Sequence, residues 1–357
     1  MHQYQVLHIC LPHEDNLGDQ LAHQVVHKAL QDHGLGCRFH EVDLWELRTQ
    51  ERFLDDEIDR INEQFDFMVI GAGGMLSPGL INFVFRDPGN WSRINIPLFF
   101  FGVGVIANNT LPNHYAILGP DSDAPLVKAL QAASLVSVRD MRTWLTAAKV
   151  LPDHRERLFL TGCPTIFYTG NGHEDPGTAH SLALNIPFNH GVCSKYSDSL
   201  LQVVALLLNH TDSIKWICHS SVEKTHADEV VKQFDKKIEV LYPRDIQSVR
   251  EAYMGCELAL VTKAHAALFC LANLVPFGFF SYDMKCDALM EMIADFPGDY
   301  ICHIETLPKV NIAGMLSRLL YNLQRDAARL KASQRVLVRK LRSEFVFFMK
   351  ALIEKVA

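Results

Sequence analysis

Short apolar, β-type runs alternate with helix-patterned segments along almost the whole chain, and this alternation most restricts the fold. Parallel strands must be joined by a crossover, usually a helix, so the pattern predicts mostly parallel sheets with helices on both faces. Strands are expected near 4–10, 37–43, 66–70, 97–101, 134–138 and 158–161, with helices near 18–32, 52–64, 124–132 and 140–149. From Gly162 to Ala179 the composition turns to Gly, Pro, Asn, Thr and Asp, a linker signal. A second alternation follows, with strands near 182–186, 214–218, 237–241, 257–261 and 276–280 and helices near 197–208, 222–234, 246–253, 264–273 and 285–293. The tail from Ala313 to Val356 is strongly helical. We therefore expect an α/β domain over 1–165, a hinge over 166–180, a second α/β domain over 181–312 and C-terminal helices over 313–357. A length of 357 residues suits two such domains.

Composition removes several function classes. With 48% hydrophobic and 21% charged residues this is an ordinary soluble globular chain. The net charge of −7 argues against nucleic-acid binding as the main task. Nine scattered cysteines, with no C-x-x-C, read as reduced cytoplasmic thiols. The chain runs straight into a strand at Tyr4, so no signal peptide is expected, and Ile96 to Ala107 is too short to span a bilayer. Leu337 to Val356 mixes basic residues with Leu, Val and Phe. We expect this helix to pack back on the first domain, because Phe345, Phe347 and Phe348 do not form one stripe. The alternative is a basic amphipathic face at the inner surface of the membrane. Among 17 histidines, His23 and His27 follow Asp19 at helical spacing. No H-E-x-x-H occurs, and a solvated face opposite Leu21, Val25 and Leu30 is expected there, with no metal.

The chemistry-bearing residues gather at predicted strand ends, where open α/β sheets bind ligands. Val261-Thr-Lys-Ala-His265 places Lys263 and His265 where a strand gives way to a helix, and helix N-termini favour anions. Asp283 and Lys285 lie at the neighbouring strand end. Together these four residues read as a site for an anionic substrate. Arg139, in Ser137-Val-Arg-Asp140, offers a guanidinium fork to a carboxylate or phosphate, or an ion pair to Asp140. Asn16, Gly18 and Asp19 open the first helix, as ligand contacts or as ordinary caps. Gly71-Ala-Gly73-Gly74 and Phe101-Gly-Val-Gly-Val105 are expected to be Gly-rich turns that present N–H groups. Asn185, in the segment to Asn189, and His219, with Ser220 and Ser221, leave two further strands, as cleft residues or simple loop and cap residues.

Taken in order, these motifs resemble the polysaccharide pyruvyl transferase family over roughly residues 5 to 295. The resemblance rests on N-x-G-D (Asn16 to Asp19), G-x-G-G (Gly71 to Gly74), G-V-G (Gly102 to Gly104) and S-V-R-D (Ser137 to Asp140). It continues through the hinge with Gly162 and Pro164, the helix start at His265 and S-Y-D-x-K (Ser281 to Lys285). It implies two Rossmann-like domains with a cleft between them, as in B-type glycosyltransferases. It also implies transfer of a pyruvyl group from phosphoenolpyruvate to two sugar hydroxyls as a ketal, with no cofactor. On this view His265 does acid or base work or binds phosphate, and Asp283 assists or orients Lys285. Arg139, Lys263 and Lys285 hold the donor, while Asn16, Gly18, Asp19, Gly73, Gly74, Asn185 and His219 face the acceptor or cleft. Two departures stand out: Lys263 replaces a family Arg, and the hinge reads Thr161-Gly-Cys-Pro164 without the family's Asp. The acceptor is expected to be a saccharide, lipid-linked, nucleotide-linked or polymeric, in cell-surface or exopolysaccharide synthesis. A nucleotide-sugar glycosyltransferase of the same architecture and a catalytically degenerate glycan- or partner-binding homologue are the rival readings.

Overall fold

A computed structural model of the chain describes residues 2–12, 15–76, 78–105, 124–170, 181–188, 191, 193–211, 213–234 and 238–357. The chain divides into two compact units: Met1–His13, Asp19–Pro164 and Lys340–Ala357 form the first, and Glu14–Gly18 with Thr165–Arg339 form the second.

The first unit is built on a parallel sheet of β1 (Tyr4–Cys10), β2 (Cys37–Asp43), β3 (Phe67–Leu76), β4 (Leu98–Val105), β5 (Leu135–Val138) and β6 (Leu158–Leu160). The strand order is β2-β1-β3-β4-β5-β6. Its helices are α1 (Leu17–Asp32), α2 (Leu44–Thr49), α3 (Ile58–Gln64), α4 (Pro78–Ile81), α5 (Pro125–Ala132) and α6 (Met141–Val150). All ten residues of β3 are buried, which is why the central run is apolar without alternation.

Two expectations change here. The Gly-rich stretches after β3 and β4 are strand rather than turn: Gly73 pairs with Val103 and Leu76 with Val105, across a register shift that marks a bulge. Glycine lowers strand propensity, so the pattern reads as a turn until a strand on each side holds it extended. His23 and His27 do not lie on a solvated face. Their side chains are only 15% and 20% exposed and approach Glu41 of β2. Opposite them His8, fully buried in β1, and Phe39 of β2 supply ring partners.

The second unit has a parallel sheet of β7 (Ser181–Asn185), β8 (Ile214–Ile217), β9 (Ile238–Leu241), β10 (Cys256–Val261), β11 (Phe277–Ser281) and β12 (Ile301–His303), in the order β12-β11-β10-β7-β8-β9. Around it lie α7 (Thr165–Thr169), α8 (Ser197–Leu207), α9 (Ser221–Val231), α10 (Ile246–Tyr253), α11 (Ala264–Ala272) and α12 (Met284–Glu291). Residues 165–169, next to or within the expected hinge, thus form a helix. Its carbonyls accept hydrogen bonds from Arg250 (2.6 Å, at Tyr168) and Asn273 (3.2 Å, at Thr169), which fix it to the second unit. Residues 171–180 of the expected hinge and Asn189 lie outside the described residues. The short edge strand β12 was not expected from the sequence.

The C-terminal tail is one helix, α13 (Ile312–Val356). In the second unit its Leu319 and Leu323 pack against Gly278, and Gln334 donates to the Val275 carbonyl (3.0 Å). In the first unit Phe345 and Phe348 meet Phe101 edge-on at 5.9 and 5.1 Å. Among the described residues no helix is long and apolar enough to cross a membrane.

Candidate active site

Each sheet reverses its strand order once, between β1 and β3 in the first unit and between β7 and β10 in the second. Ligands of open α/β sheets bind outside the carboxyl ends of the strands at such switch points. The sequence motifs fall on these ends: 16–19 after β1, Gly71–Gly74 in β3, Asn185 at the end of β7 and Lys263 just beyond β10.

In the second unit, Asn185 stands opposite Val261 in the β7–β10 ladder. It is buried, donates to the Ile217 carbonyl (2.8 Å) and accepts from the Lys263 amide (3.4 Å), so it ties three strand ends together. Lys263 is the N-cap residue of α11, and its ammonium is ion-paired with Glu223 of α9. The two side chains are 14% and 3% exposed. Lys263, expected from the sequence to hold the donor, thus has its ammonium engaged by Glu223. Glu223 also accepts the His219 amide (2.8 Å), and its own amide donates to Ser220 Oγ (3.0 Å). This glutamate was missed by the sequence reading, although Ser220-x-x-Glu223 has the capping-box spacing.

His219 is fully buried, with Nε2 3.3 Å from the Tyr253 hydroxyl, and Nδ1 has no hydrogen-bond partner among the described residues. Burial first, then the charge of Lys263 and the neighbouring His265, hold it well below the ordinary 6.5, so it is neutral. The unfolded chain takes up a proton at this residue below pH 6.5 and the folded one resists it. Its contribution is thus fully present above 6.5 and is lost as pH falls toward the lowered folded value. We expect His219→Gln to flatten the acid limb of stability by up to about 1.4 kcal/mol per pH unit below that point. Urea unfolding of both proteins between neutral and mildly acidic pH checks this, and parallel limbs would contradict it.

His265 lies in the first turn of α11, with its ring roughly parallel to Phe269 at 6.4 Å. The segment before α1 is bound to this unit: the Leu17 amide donates to the His219 carbonyl (2.9 Å), and Asp15 accepts from the Ser221 amide (2.6 Å) and the Tyr242 hydroxyl (3.4 Å). Burial works against the Asp15 charge, but these hydrogen bonds hold its carboxyl below the usual range. Asn16 Oδ1 accepts the Gly18 amide (3.2 Å). Gly18 then lies against the His265 ring, where any Cβ would overlap it, which accounts for glycine in N-x-G-D. Residues nearly 250 positions apart are thereby brought together. Asp283, read from the sequence as catalytic, is buried and caps α12 by accepting the Lys285 amide (2.9 Å). Lys285 Nζ is 3.8 Å from Asp283 and 5.5 Å from the centre of the Tyr282 ring. A 360 Å³ recess in this unit lies at the opposite strand edge, beside Ser181, Glu257 and Tyr321, away from these groups.

In the first unit, Arg139 follows β5 and is only 5% exposed. Its Nε donates to Asp140 (3.4 Å), while buried Nη2 has no hydrogen-bond partner among the described residues. Asp140 is committed to capping α6 through the Thr143 amide and hydroxyl, both at 2.8 Å. Gly104 borders the guanidinium so closely that a Cβ would overlap it. Asp19 and Gly73 face each other, with Asp19 Oδ1 3.8 Å from where a Gly73 Cβ would lie. Gly74 is buried in β3 beside it.

A search of curated proteins finds no match. Solved structures of similar fold include S. aureus MnaA with UDP (TM-score 0.60, 10% identity, covering 98% of this chain and 95% of that one). Acinetobacter baumannii MurG aligns at TM-score 0.53 with 12% identity over 99% of both chains. Anabaena Alr3699/HepE with UDP-glucose aligns at 0.53 with 9% identity over 98% and 100%. The fold is GT-B-like, as in these structures. A family model described as polysaccharide pyruvyl transferase matches residues 16–284, which contain the motifs from Asn16 through Asp283. Since that match takes in most of the sequence, the chain belongs to the polysaccharide pyruvyl transferase family.

Proposed function

We propose that the protein transfers the pyruvyl group of phosphoenolpyruvate to two hydroxyls of a saccharide, forming a cyclic ketal and releasing phosphate in polysaccharide synthesis. The observation that carries this reading, given family membership, is the buried Arg139 guanidinium, whose Nη2 has no hydrogen-bond partner among the described residues. A donor with a carboxylate and a phosphate suits such a cation, because an Arg fork matches both groups.

In this scheme a proton goes to C3 of the donor and C2 becomes electrophilic. One sugar hydroxyl adds to C2, the C2–O bond to phosphate breaks, and the second hydroxyl closes the ketal. The two hydroxyl protons balance the one placed on C3 and the one carried away on phosphate. His265 is the general acid–base group, Arg139 and Lys285 bind the donor anion, and the Lys263–Glu223 pair positions the start of α11. No cofactor enters the scheme. Among lipid-linked, nucleotide-linked and polymeric acceptors, the neighbours of similar fold holding UDP and UDP-glucose lend support to the nucleotide-linked form. We place the reaction in the cytoplasm, where the donor is made.

Calorimetric titration with phosphoenolpyruvate and, separately, UDP-glucose tests the donor. Binding of phosphoenolpyruvate, weakened about tenfold or more in Arg139→Lys, is expected, because Lys keeps the charge but loses the fork. Binding of UDP-glucose alone would instead favour nucleotide-sugar glycosyl transfer. A milder effect is expected at Gly104: Gly104→Ala pushes the guanidinium aside and raises KM for phosphoenolpyruvate about tenfold, with kcat less affected. An unchanged KM would mean that Arg139 does not touch the donor.

A further inference from the structure

The first unit contains a cluster of side chains that the transfer scheme does not use. His8 of β1, His23 and His27 of α1 and Glu41 of β2 converge on one face of the sheet. His8 Nδ1 is 2.9 Å from His27 Nε2. His27 Nε2 and His23 Nε2 each lie 3.6 Å from Glu41 Oε1. One donor atom each of His8, His27 and Glu41 falls within 4.8 Å of the other two.

We propose that His8, His27 and Glu41, with His23 as the fourth ligand, form a binding site for a divalent transition metal, zinc being the best match. The donor set is three imidazoles and one carboxylate, which zinc accepts in tetrahedral geometry. With metal–ligand bonds of about 2.0–2.2 Å, tetrahedral donor atoms stand about 3.4 Å apart. The 2.9 Å from His8 to His27 and the 3.6 Å from His27 to Glu41 bracket that spacing, while His23, 3.6 Å from Glu41 but outside the 4.8 Å group, must swing inward to complete the set.

The surroundings also prepare the ligands. His8 Nε2 donates to the Gly71 carbonyl at 2.5 Å, which fixes the tautomer and turns the Nδ1 lone pair toward the cluster. The His27 ring is stacked on Phe39 at 3.5 Å and 12°, so its plane is set. His23 and His27 are four residues apart on α1, the spacing that puts two imidazoles on one helix face. Glu41 is 40% exposed and gives the ion an approach from solvent, while His8 is fully buried. Four ligands from β1, α1 and β2 would fasten α1 across two strands, a structural role, since a filled four-ligand set leaves no open position.

The test uses untagged full-length protein, stripped with a chelator and then titrated with Zn²⁺ or Co²⁺. The expected result is one equivalent of zinc retained per chain through gel filtration, a raised melting temperature, and the intense visible bands of four-coordinate Co²⁺. Glu41→Gln and His27→Gln should each weaken zinc binding by tenfold or more, while circular dichroism shows both folded. Glu41 is an accessible edge-strand residue, so its variant keeps the test informative if His27→Gln unfolds. No zinc retained by the wild type would overturn the proposal and leave the cluster a hydrogen-bonded relay. Zinc held equally by both variants would also overturn it, placing the ion among the other histidines. Neither readout depends on pyruvyl transfer.

Discussion

Replacing His265 by alanine is expected to lower turnover of phosphoenolpyruvate by about two to four powers of ten, the range removed with a general acid–base group. The imidazole sits in the first turn of α11, where helix N–H groups favour an anion, and Gly18 leaves room for it. The loss should fall on kcat more than on KM, because the proton moves in the transition state. Steady-state kinetics on a variant shown to be folded by circular dichroism would check this. A rate within a few-fold of wild type would remove His265 from the chemistry.

The second large effect is on stability. Glu223→Ala is expected to cost about 3–5 kcal/mol, because it leaves the Lys263 ammonium without its partner in a nearly buried position. It also removes the acceptor for the His219 amide. Combining it with Lys263→Met removes the stranded charge, so the double variant should recover much of the loss. Urea denaturation of the two single variants and the double closes the cycle. If Glu223→Ala costs less than about 1 kcal/mol, the pair behaves like a solvent-screened surface bridge and does not hold the start of α11.

The alternating pattern made both sheets legible, because parallel strands buried on both faces leave apolar runs that helices must separate. Ten-residue β3 and its neighbour β4 were harder: their glycines carry no side chain to signal a strand, and only pairing on both sides extends them. Helix α7 was hidden because five residues give little periodicity, and its hydrogen bonds go to α10 and α11, far away in sequence. At the site, strand-end positions could be read for Lys263, His265, Arg139 and Asn185, since motif and element boundary coincide. What each side chain touches could not. Beyond its capping-box spacing, Glu223 carries no signal that sets it apart on α9, and only the fold brings it to the Lys263 ammonium. Asp283 could be read as catalytic or as orienting Lys285; that its carboxylate accepts the Lys285 amide and lies 3.8 Å from the Lys285 ammonium could not be read. His27 looked solvated because helical spacing gives the stripe and not the direction in which it faces.

The central claim is pyruvyl transfer from phosphoenolpyruvate, and one assay reaches it directly. Purified protein is incubated with phosphoenolpyruvate and a panel of nucleotide-linked, lipid-linked and polymeric saccharides, while phosphate release and the mass of each sugar are followed together. We expect one acceptor class to gain a pyruvyl ketal in a one-to-one ratio with released phosphate, and His265→Ala to abolish both signals. Glycosyl transfer from a nucleotide sugar, with phosphoenolpyruvate neither bound nor consumed, would contradict the account.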